Sequence, residues 1–372
     1  MKNILIVFGT RPEAIKLCPL VISLRERKEF FKVVTCVTAQ HREMLDQVLK
    51  VFDITPEYDL NIMKQNQTLF DITTTALAGL GQIMEKEAVD MVVAQGDTTT
   101  TFAAALAAYY NQISVGHVEA GLRTWDKYAP YPEEMNRRLT TALADIHFAP
   151  TDQNRDNLIR EGIPEENIFI TGNTVIDALL IVREKIRNEK KEFKVLKGID
   201  KKKIILVTGH RRENFGQGFI NLCNALKDIA QNNPDINIVY PVHLNPHVRK
   251  PVYSVLGGLG NVKLLDPLDY EPFIFLLDSS YLVITDSGGV QEEAPSLGKP
   301  VLVTRDKTER PEALAAGGVK LVGTSRERIV LETQKILDDP GVYSKMSVVQ
   351  NPYGDGHACE RIANILIQYF RL

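Results

Sequence analysis

The sequence predicts an α/β protein made of two doubly wound parallel sheets in succession. First, strand-length apolar runs alternate with helix-compatible segments, and the runs are apolar throughout rather than at every second position, as in sheets covered on both faces. Second, the alternation is interrupted by a Lys- and Glu-dense stretch from Ile186 to Lys203, and then starts afresh. Third, the two openings echo each other, Leu5-Ile6-Val7-Phe8-Gly9-Thr10-Arg11 and Ile205-Leu206-Val207-Thr208-Gly209-His210-Arg211. In each, a strand runs into Gly-X-Arg at the end where such sheets hold ligands. A length of 372 residues fits about two domains.

In order, Ile4–Phe8 reads as a strand punctuated by Gly9 to Glu13, and Ala14–Arg27 as an amphipathic helix whose start suits Pro12. Lys32–Thr38 is a second strand, with helices at about Arg42–Val51 and Thr68–Glu85. Met91–Ala94 is a strand ending at Gln95-Gly96-Asp97-Thr98-Thr99-Thr100, and the Ala-rich run to Tyr110 a helix. Ile113–His117 is a strand ending at Val118-Glu119-Ala120-Gly121-Leu122-Arg123. Glu133–Leu143 follows as a helix and Ile146–Ala149 as a short strand. The charged stretch reads as a solvated segment or linker. Beyond it come strands at Lys203–Thr208, Ile236–Val242, Val262–Leu265, Tyr281–Ile284 and Pro300–Val303. Helices are expected at Gly218–Gln231, Val290–Leu297 and Gly356–Leu372.

Composition narrows the function classes. Lys plus Arg is 44 against 47 Asp plus Glu, a net charge of −3, which argues against a general nucleic-acid partner. Cys18, Cys36, Cys223 and Cys359 are widely spaced with no CxxC pair, as expected of reduced thiols in a cytosolic protein. The opening apolar run is too short for a signal peptide and none approaches membrane-spanning length, so the expectation is a cytoplasmic protein with no membrane partner.

Chemistry-bearing residues gather at the predicted strand ends. Thr285-Asp286-Ser287-Gly288-Gly289 lies between an apolar strand and a helix start. There Ser287 can cap the helix, and Gly288 and Gly289 leave its first amides bare, a nest for a phosphate. Glu293, about one turn in, is within reach of a polyol such as ribose. The first half supplies Arg11, Glu13, Lys16, Asp97, Glu119, Arg123, Glu133, Glu134, Arg137 and Arg138; the second adds His210, Arg211, Arg212, Glu213 and the run Thr308-Glu309-Arg310-Pro311-Glu312. Each has a plainer reading. Asp97 and Glu133 sit where helix caps and first-turn acids belong, and Glu119 can pair with Arg123 at helical spacing. No metal site is expected: His243 and His247 are four apart, but Asn245-Pro246 breaks the helix that would align them. Neither G-x-G-x-x-G nor G-x-S-x-G occurs at a strand end.

Taken together, Gly9 to Lys16, Gln95 to Thr100, His117 to Arg123, Pro132 to Arg137, Gly209 to Asn214, Asp286 to Glu293 and Thr308 to Glu312 resemble, in order and over essentially the whole chain, the non-hydrolysing UDP-N-acetylglucosamine 2-epimerases. The resemblance implies two Rossmann-like domains of the GT-B type with the active site in the cleft between them. They would be 1–172, joined by the helix 356–372, and 173–355, which binds UDP. It implies a homodimer with no redox cofactor and no metal. The implied reaction interconverts UDP-N-acetylglucosamine and UDP-N-acetylmannosamine by loss and re-addition of UDP through 2-acetamidoglucal, feeding N-acetylmannosamine into bacterial surface polysaccharide. Asp97, Glu119, Glu133 and His210 would be catalytic. Arg11, Lys16, Arg137, Phe273, Ser287, Gly288, Gly289, Glu293 and Arg310 would bind the UDP-sugar. Gln40, His41, His243 and Asn245 match segments tied in that family to a second, activating UDP-N-acetylglucosamine. Leu268 and Tyr131 depart from the family pattern. A GT-B glycosyltransferase, a hydrolysing epimerase and a non-catalytic UDP-sugar sensor are the competing readings.

Overall fold

A strand buried on both faces has no polar side to show, so unbroken apolar runs call for parallel pairing beneath covering helices. In the computed structural model, which describes residues 1–39, 42–64, 66–199 and 203–372, every strand pair is parallel. The described chain forms two units, Met1–Ile181 with Tyr353–Leu372, and Val182–Pro352.

The first unit carries strands β1 (Lys2–Phe8), β2 (Phe31–Val37), β3 (Tyr58–Asp59), β4 (Met91–Gln95), β5 (Ser114–Val118), β6 (Ile146–Ala149) and β7 (Ile168–Ile170), in the order β3-β2-β1-β4-β5-β6-β7. Ile4 through Phe8 and Met91 through Ala94 are fully buried at its centre. The order reverses between β1 and β4, so the loops leaving those strands diverge and open a crevice at their carboxyl ends. After β1 the helix Arg11–Arg25 starts on a capping box, Thr10 with Glu13, and carries Pro12 in its first turn. After β4 the helix Thr99–Tyr110 is capped by Thr98, and its Ala103, Ala104, Ala105, Ala107 and Ala108 are small enough to lie close against the layer around them.

Residues far apart in sequence complete this unit. The Asp177 carboxylate accepts from the amides of Ala358 (3.2 Å) and Cys359 (2.8 Å), the first turn of the helix Ala358–Tyr369. Asn173 N donates to the Tyr353 carbonyl at 2.7 Å. Gly172 has φ +84° and a Cβ there would lie 3.2 Å from Gly354 Cα, so the two strands of chain meet glycine to glycine.

The second unit carries β8 (Lys203–Thr208), β9 (Ile236–Pro241), β10 (Val262–Leu265), β11 (Leu282–Thr285), β12 (Val301–Val303) and β13 (Val319–Leu321), in the order β10-β9-β8-β11-β12-β13. Here the order reverses between β8 and β11. The helix after β11, Gly288–Ser296, therefore begins at the switch point.

Expected elements stand within a few residues of their predicted bounds. The structure adds short edge strands β3, β7 and β13 and the helices Asp152–Arg160, Pro246–Leu256, Tyr270–Ser279, Pro311–Ala316, Arg326–Asp338 and Pro340–Ser347. The charged stretch is not all linker: the helix Thr174–Asn188 runs into it and a 3-10 turn forms at Lys194–Leu196.

Candidate active site

At the β1/β4 switch point the first unit gathers three carboxylates and two cations. Gly96 turns the chain at φ +76° directly after β4, and Thr98 caps the next helix by accepting from Thr101 N at 3.1 Å. Asp97 is thereby not needed as a cap, contrary to its plainer reading. Its carboxylate meets Arg137 Nη2 at 2.5 Å, and the Asn136 side-chain amide donates to its carbonyl at 2.9 Å. Burial pushes the Asp97 carboxyl up from its ordinary value; Arg137 and Lys16 oppose this, and Glu119 and Glu133 add to it.

Glu119 follows β5 in the left-handed region, φ +61°, an uncommon conformation for a non-glycine residue and a mark of a held turn. Its side chain is buried and accepts from Lys16 Nζ at 2.5 and 2.7 Å, from Asn173 Nδ2 at 2.9 Å, and from the Gln95 amide. It does not pair with Arg123, whose guanidinium is buried on Glu161 (3.0 and 2.6 Å) and the Thr141 hydroxyl. Glu133 opens the helix Glu133–Leu143, and its Oε2 is buried with no hydrogen-bond partner among the described residues. A buried carboxylate oxygen left without a donor is costly unless a ligand supplies one. Glu134 has a structural task instead, accepting from the amides of Thr124 and Trp125 at 3.1 Å each and from Arg137 at 3.0 Å. Glu13 likewise serves the fold, binding the Gly9 and Thr10 amides and the Thr98 and Thr101 hydroxyls. Arg11, half-exposed at the head of the same helix, has no ion-pair partner among the described residues.

The second unit holds the stretch expected to nest a phosphate. Ser287 stands at the N-cap of Gly288–Ser296 but makes no side-chain cap; its own amide goes to Thr285 Oγ1 at 2.9 Å. The first turn of this helix therefore lacks a side-chain cap from Ser287, and the helix dipole favours negative charge at that end. A Cβ at Gly289 would meet nothing within 4 Å, so this glycine faces open space, whereas one at Gly288 would lie 3.3 Å from the Arg310 guanidinium carbon. Arg310 is aimed there by Glu292 (2.8 Å) and Glu309 (3.1 Å). Asp286, fully buried, ties the neighbouring loop down: its Oδ2 accepts from the amides of His210 (2.9 Å) and Arg211 (2.8 Å). His210 stacks on His243, ring centroids 5.4 Å apart and 14° from parallel. Burial pulls the His210 imidazole below its ordinary 6.5, against the opposing pull of Asp286. Glu293 is buried and accepts from the Tyr270 hydroxyl at 3.4 Å; Phe273, half-buried, lies on the same helix as Tyr270.

Of the four residues expected at a second ligand site, Gln40 and His41 lie outside the described residues. Asn245 caps the helix Pro246–Leu256 through His247 N (2.9 Å), and His243 Nδ1 accepts from Asn245 N (3.1 Å). Among the described residues no group of three or more His, Cys, Asp or Glu is placed to hold a metal ion, and no helix is long and apolar enough to cross a membrane. Sequence reasoning missed Gln95, Asn136, Asn173 and the anchoring role of Asp286. Asn173 lies 54 residues from the carboxylate it serves, and no local signal announces it.

Comparison with known proteins identifies the family of the chain. A sequence model of the UDP-N-acetylglucosamine 2-epimerase family matches residues 23–367. A UDP-N-acetylglucosamine 2-epimerase of Campylobacter jejuni is 58% identical over 377 residues, covering 99% of this chain and 98% of its own. That of Escherichia coli strain K12 is 58% identical over 369 residues, 98% of each chain. The crystal structure of UDP-GlcNAc 2-epimerase from Neisseria meningitidis bound to UDP-GlcNAc superposes with a TM-score of 0.90 at 49% identity, over 98% of this chain and all of that one. The chain belongs to the UDP-N-acetylglucosamine 2-epimerase family.

Proposed function

We propose that the protein interconverts UDP-N-acetylglucosamine and UDP-N-acetylmannosamine without hydrolysis, by eliminating UDP and adding it back. The observation that carries this is the set of three carboxylates, Asp97, Glu119 and Glu133, converging with Lys16 and Arg137 at one switch point. Inverting one carbon requires a proton to leave one face and arrive on the other, which takes more than one acid/base group. One carboxylate removes the proton from carbon 2. The C1–O bond breaks with its electron pair going to UDP, and the C1=C2 bond of 2-acetamidoglucal forms. UDP then adds back while a second group delivers a proton to the opposite face.

The leaving diphosphate is the natural occupant of the nest at Ser287 to Gly289, with Arg310 and His210 stabilising its charge. Glu293 suits the ribose hydroxyls and Phe273 the uracil side. The reading extends to a cytoplasmic homodimer that supplies N-acetylmannosamine for surface polysaccharide. It also includes activation by a second UDP-N-acetylglucosamine near Gln40, His41, His243 and Asn245, which sigmoidal rates and a lag in the reverse direction would reveal. The deciding experiment is proton NMR of the protein with UDP-N-acetylglucosamine alone in deuterium oxide. Both epimers should appear with deuterium at carbon 2 and no free sugar accumulating at the rate of turnover. Turnover without deuterium entry would overturn the elimination route.

A further inference from the structure

We infer that His117 is a positioning residue for the proposed reaction, setting the peptide plane that aims Asp97. The inference rests on the reading of Asp97 as an acid/base group. His117 is the fourth residue of β5, fully buried, and its Nε2 lies 2.8 Å from the Gly96 carbonyl. A carbonyl oxygen only accepts, so Nε2 carries the hydrogen and donates it. That carbonyl belongs to the peptide joining Gly96 to Asp97. Gly96 sits at φ +76°, where the peptide can swing between alternatives at little steric cost. Its two polar groups are both tied to the neighbouring strand: the amide donates to the Val118 carbonyl at 2.9 Å, and the carbonyl accepts from His117. On the far side of Asp97, Asn136 holds the Asp97 carbonyl at 2.9 Å and Arg137 the carboxylate at 2.5 Å. Asp97 is therefore clamped before, at and after its Cα, and His117 is the clamp before it.

The imidazole is suited to this for a second reason. Its Nδ1 is buried with no hydrogen-bond partner among the described residues, as is Nδ1 of His147, its register partner on β6. A proton there would have no acceptor, and the Arg123 guanidinium nearby adds to the cost. Burial accordingly draws His117 down to about 4, so the ring stays neutral through the working range. It supplies a donor without adding a positive charge to a cluster whose balance tunes Asp97. A lysine or arginine at this position would donate equally well but would add that charge.

The test compares His117→Leu, which keeps bulk and removes the donor, with His117→Gln, whose side-chain amide can donate from about where Nε2 stands. Turnover, KM, the pH profile of kcat and UDP affinity by calorimetry are read for each. The Leu variant should lose about 10- to 100-fold in kcat, the scale of a misaimed catalytic group. Its KM and UDP affinity should change less than about threefold, with the acid limb of its pH profile displaced. The Gln variant should recover most of the rate and the wild-type pH profile. Where His117→Leu does not fold, His117→Asn takes its place, since its amide falls short of the carbonyl. Wild-type turnover in the donor-less variant, or equal impairment of the Leu and Gln variants, overturns the inference. The wild-type deuterium experiment separates this from the parent reading: without carbon-2 exchange in the wild type the reaction itself is misassigned, whereas exchange there with an unimpaired Leu variant removes only the role of His117.

Discussion

Glu13 is predicted to be held as the neutral acid, a prediction that follows from counting hydrogens. Its Oε2 accepts from the Gly9 amide (3.0 Å), the Thr10 amide (2.8 Å) and the Thr10 hydroxyl (2.8 Å). Its Oε1 lies 2.5 Å from Thr98 Oγ1 and 3.1 Å from Thr101 Oγ1. The single hydroxyl hydrogen of Thr101 already points to the Gln95 carbonyl at 2.6 Å. The approach of Thr101 to Glu13 therefore lacks a hydrogen unless Glu13 brings one. Burial pushes this carboxyl up from its ordinary 4.5 and outweighs the hydrogen bonds that oppose it. Glu13→Gln is then nearly isosteric and isoelectronic: its carbonyl replaces Oε2 and its amide donates where the acid did. The expected cost is under about 1 kcal/mol in stability, with turnover kept. Glu13→Ala leaves two buried peptide amides without an acceptor and unlinks the loops after β1 and β4, for about 3–5 kcal/mol at roughly 1 kcal/mol per bond and more per orphaned donor. Urea unfolding from pH 5 to 8 checks both variants. With the folded-state value above the unfolded one, the unfolded chain gives up its proton first as pH rises. Glu13 thus contributes stability below its ordinary value that is lost as pH climbs toward the folded value. The Gln variant lacks that loss, so its stability relative to wild type should grow with pH. A Gln variant as unstable as the Ala variant would refute the neutral acid. A stable Gln variant without turnover would place Glu13 in the reaction.

Other expectations are simpler to state. Asp97→Asn, Glu119→Gln and Glu133→Gln should each slow turnover about 100-fold or more with modest change in KM, read by NMR. Arg310→Ala should weaken UDP binding by roughly 1–3 kcal/mol in calorimetry, the scale of a charge-assisted contact. Gly289→Val should weaken it further, because its side chain would fill the open face of the nest. The His210 ring should titrate below 6.5 by NMR, and Asp286→Asn should lower it again, since the Asp286 charge holds it up.

Much of this architecture was legible because it is local. The apolar runs of β1, β4, β8 and β11 and the glycines that end them are visible in short windows of sequence, and they place the switch points. What was not legible is long-range or depends on which of two neighbours takes a task. Thr98 rather than Asp97 caps its helix, and Glu161 rather than Glu119 neutralises Arg123. Ser287 occupies the cap position without a side-chain cap, and its amide donates to Thr285 Oγ1. The strands β3, β7 and β13 run to two or three residues at or near the sheet edges, too short for a periodicity to declare itself. In Glu13 and Glu133, identical side chains on helix first turns are placed differently: four donors surround one, and an oxygen of the other has none among the described residues.

The return of the chain at Tyr353 has a bearing on how the protein is made. During synthesis most of the first unit emerges first, yet the residues that close it, from Tyr353 on, emerge only after the whole of the second. The Asp177 carboxylate waits for the amides of Ala358 and Cys359, and Gly172 for Gly354. The segment Val182–Pro352 is continuous and meets no such delay. The usual order of N-terminal domain first is therefore inverted at the finishing step. Nascent chains stalled before residue 353 should protect the second unit from protease while the first stays open to cleavage. Emergence of the helix Ala358–Tyr369 from the ribosome would be the event that makes the first unit resistant.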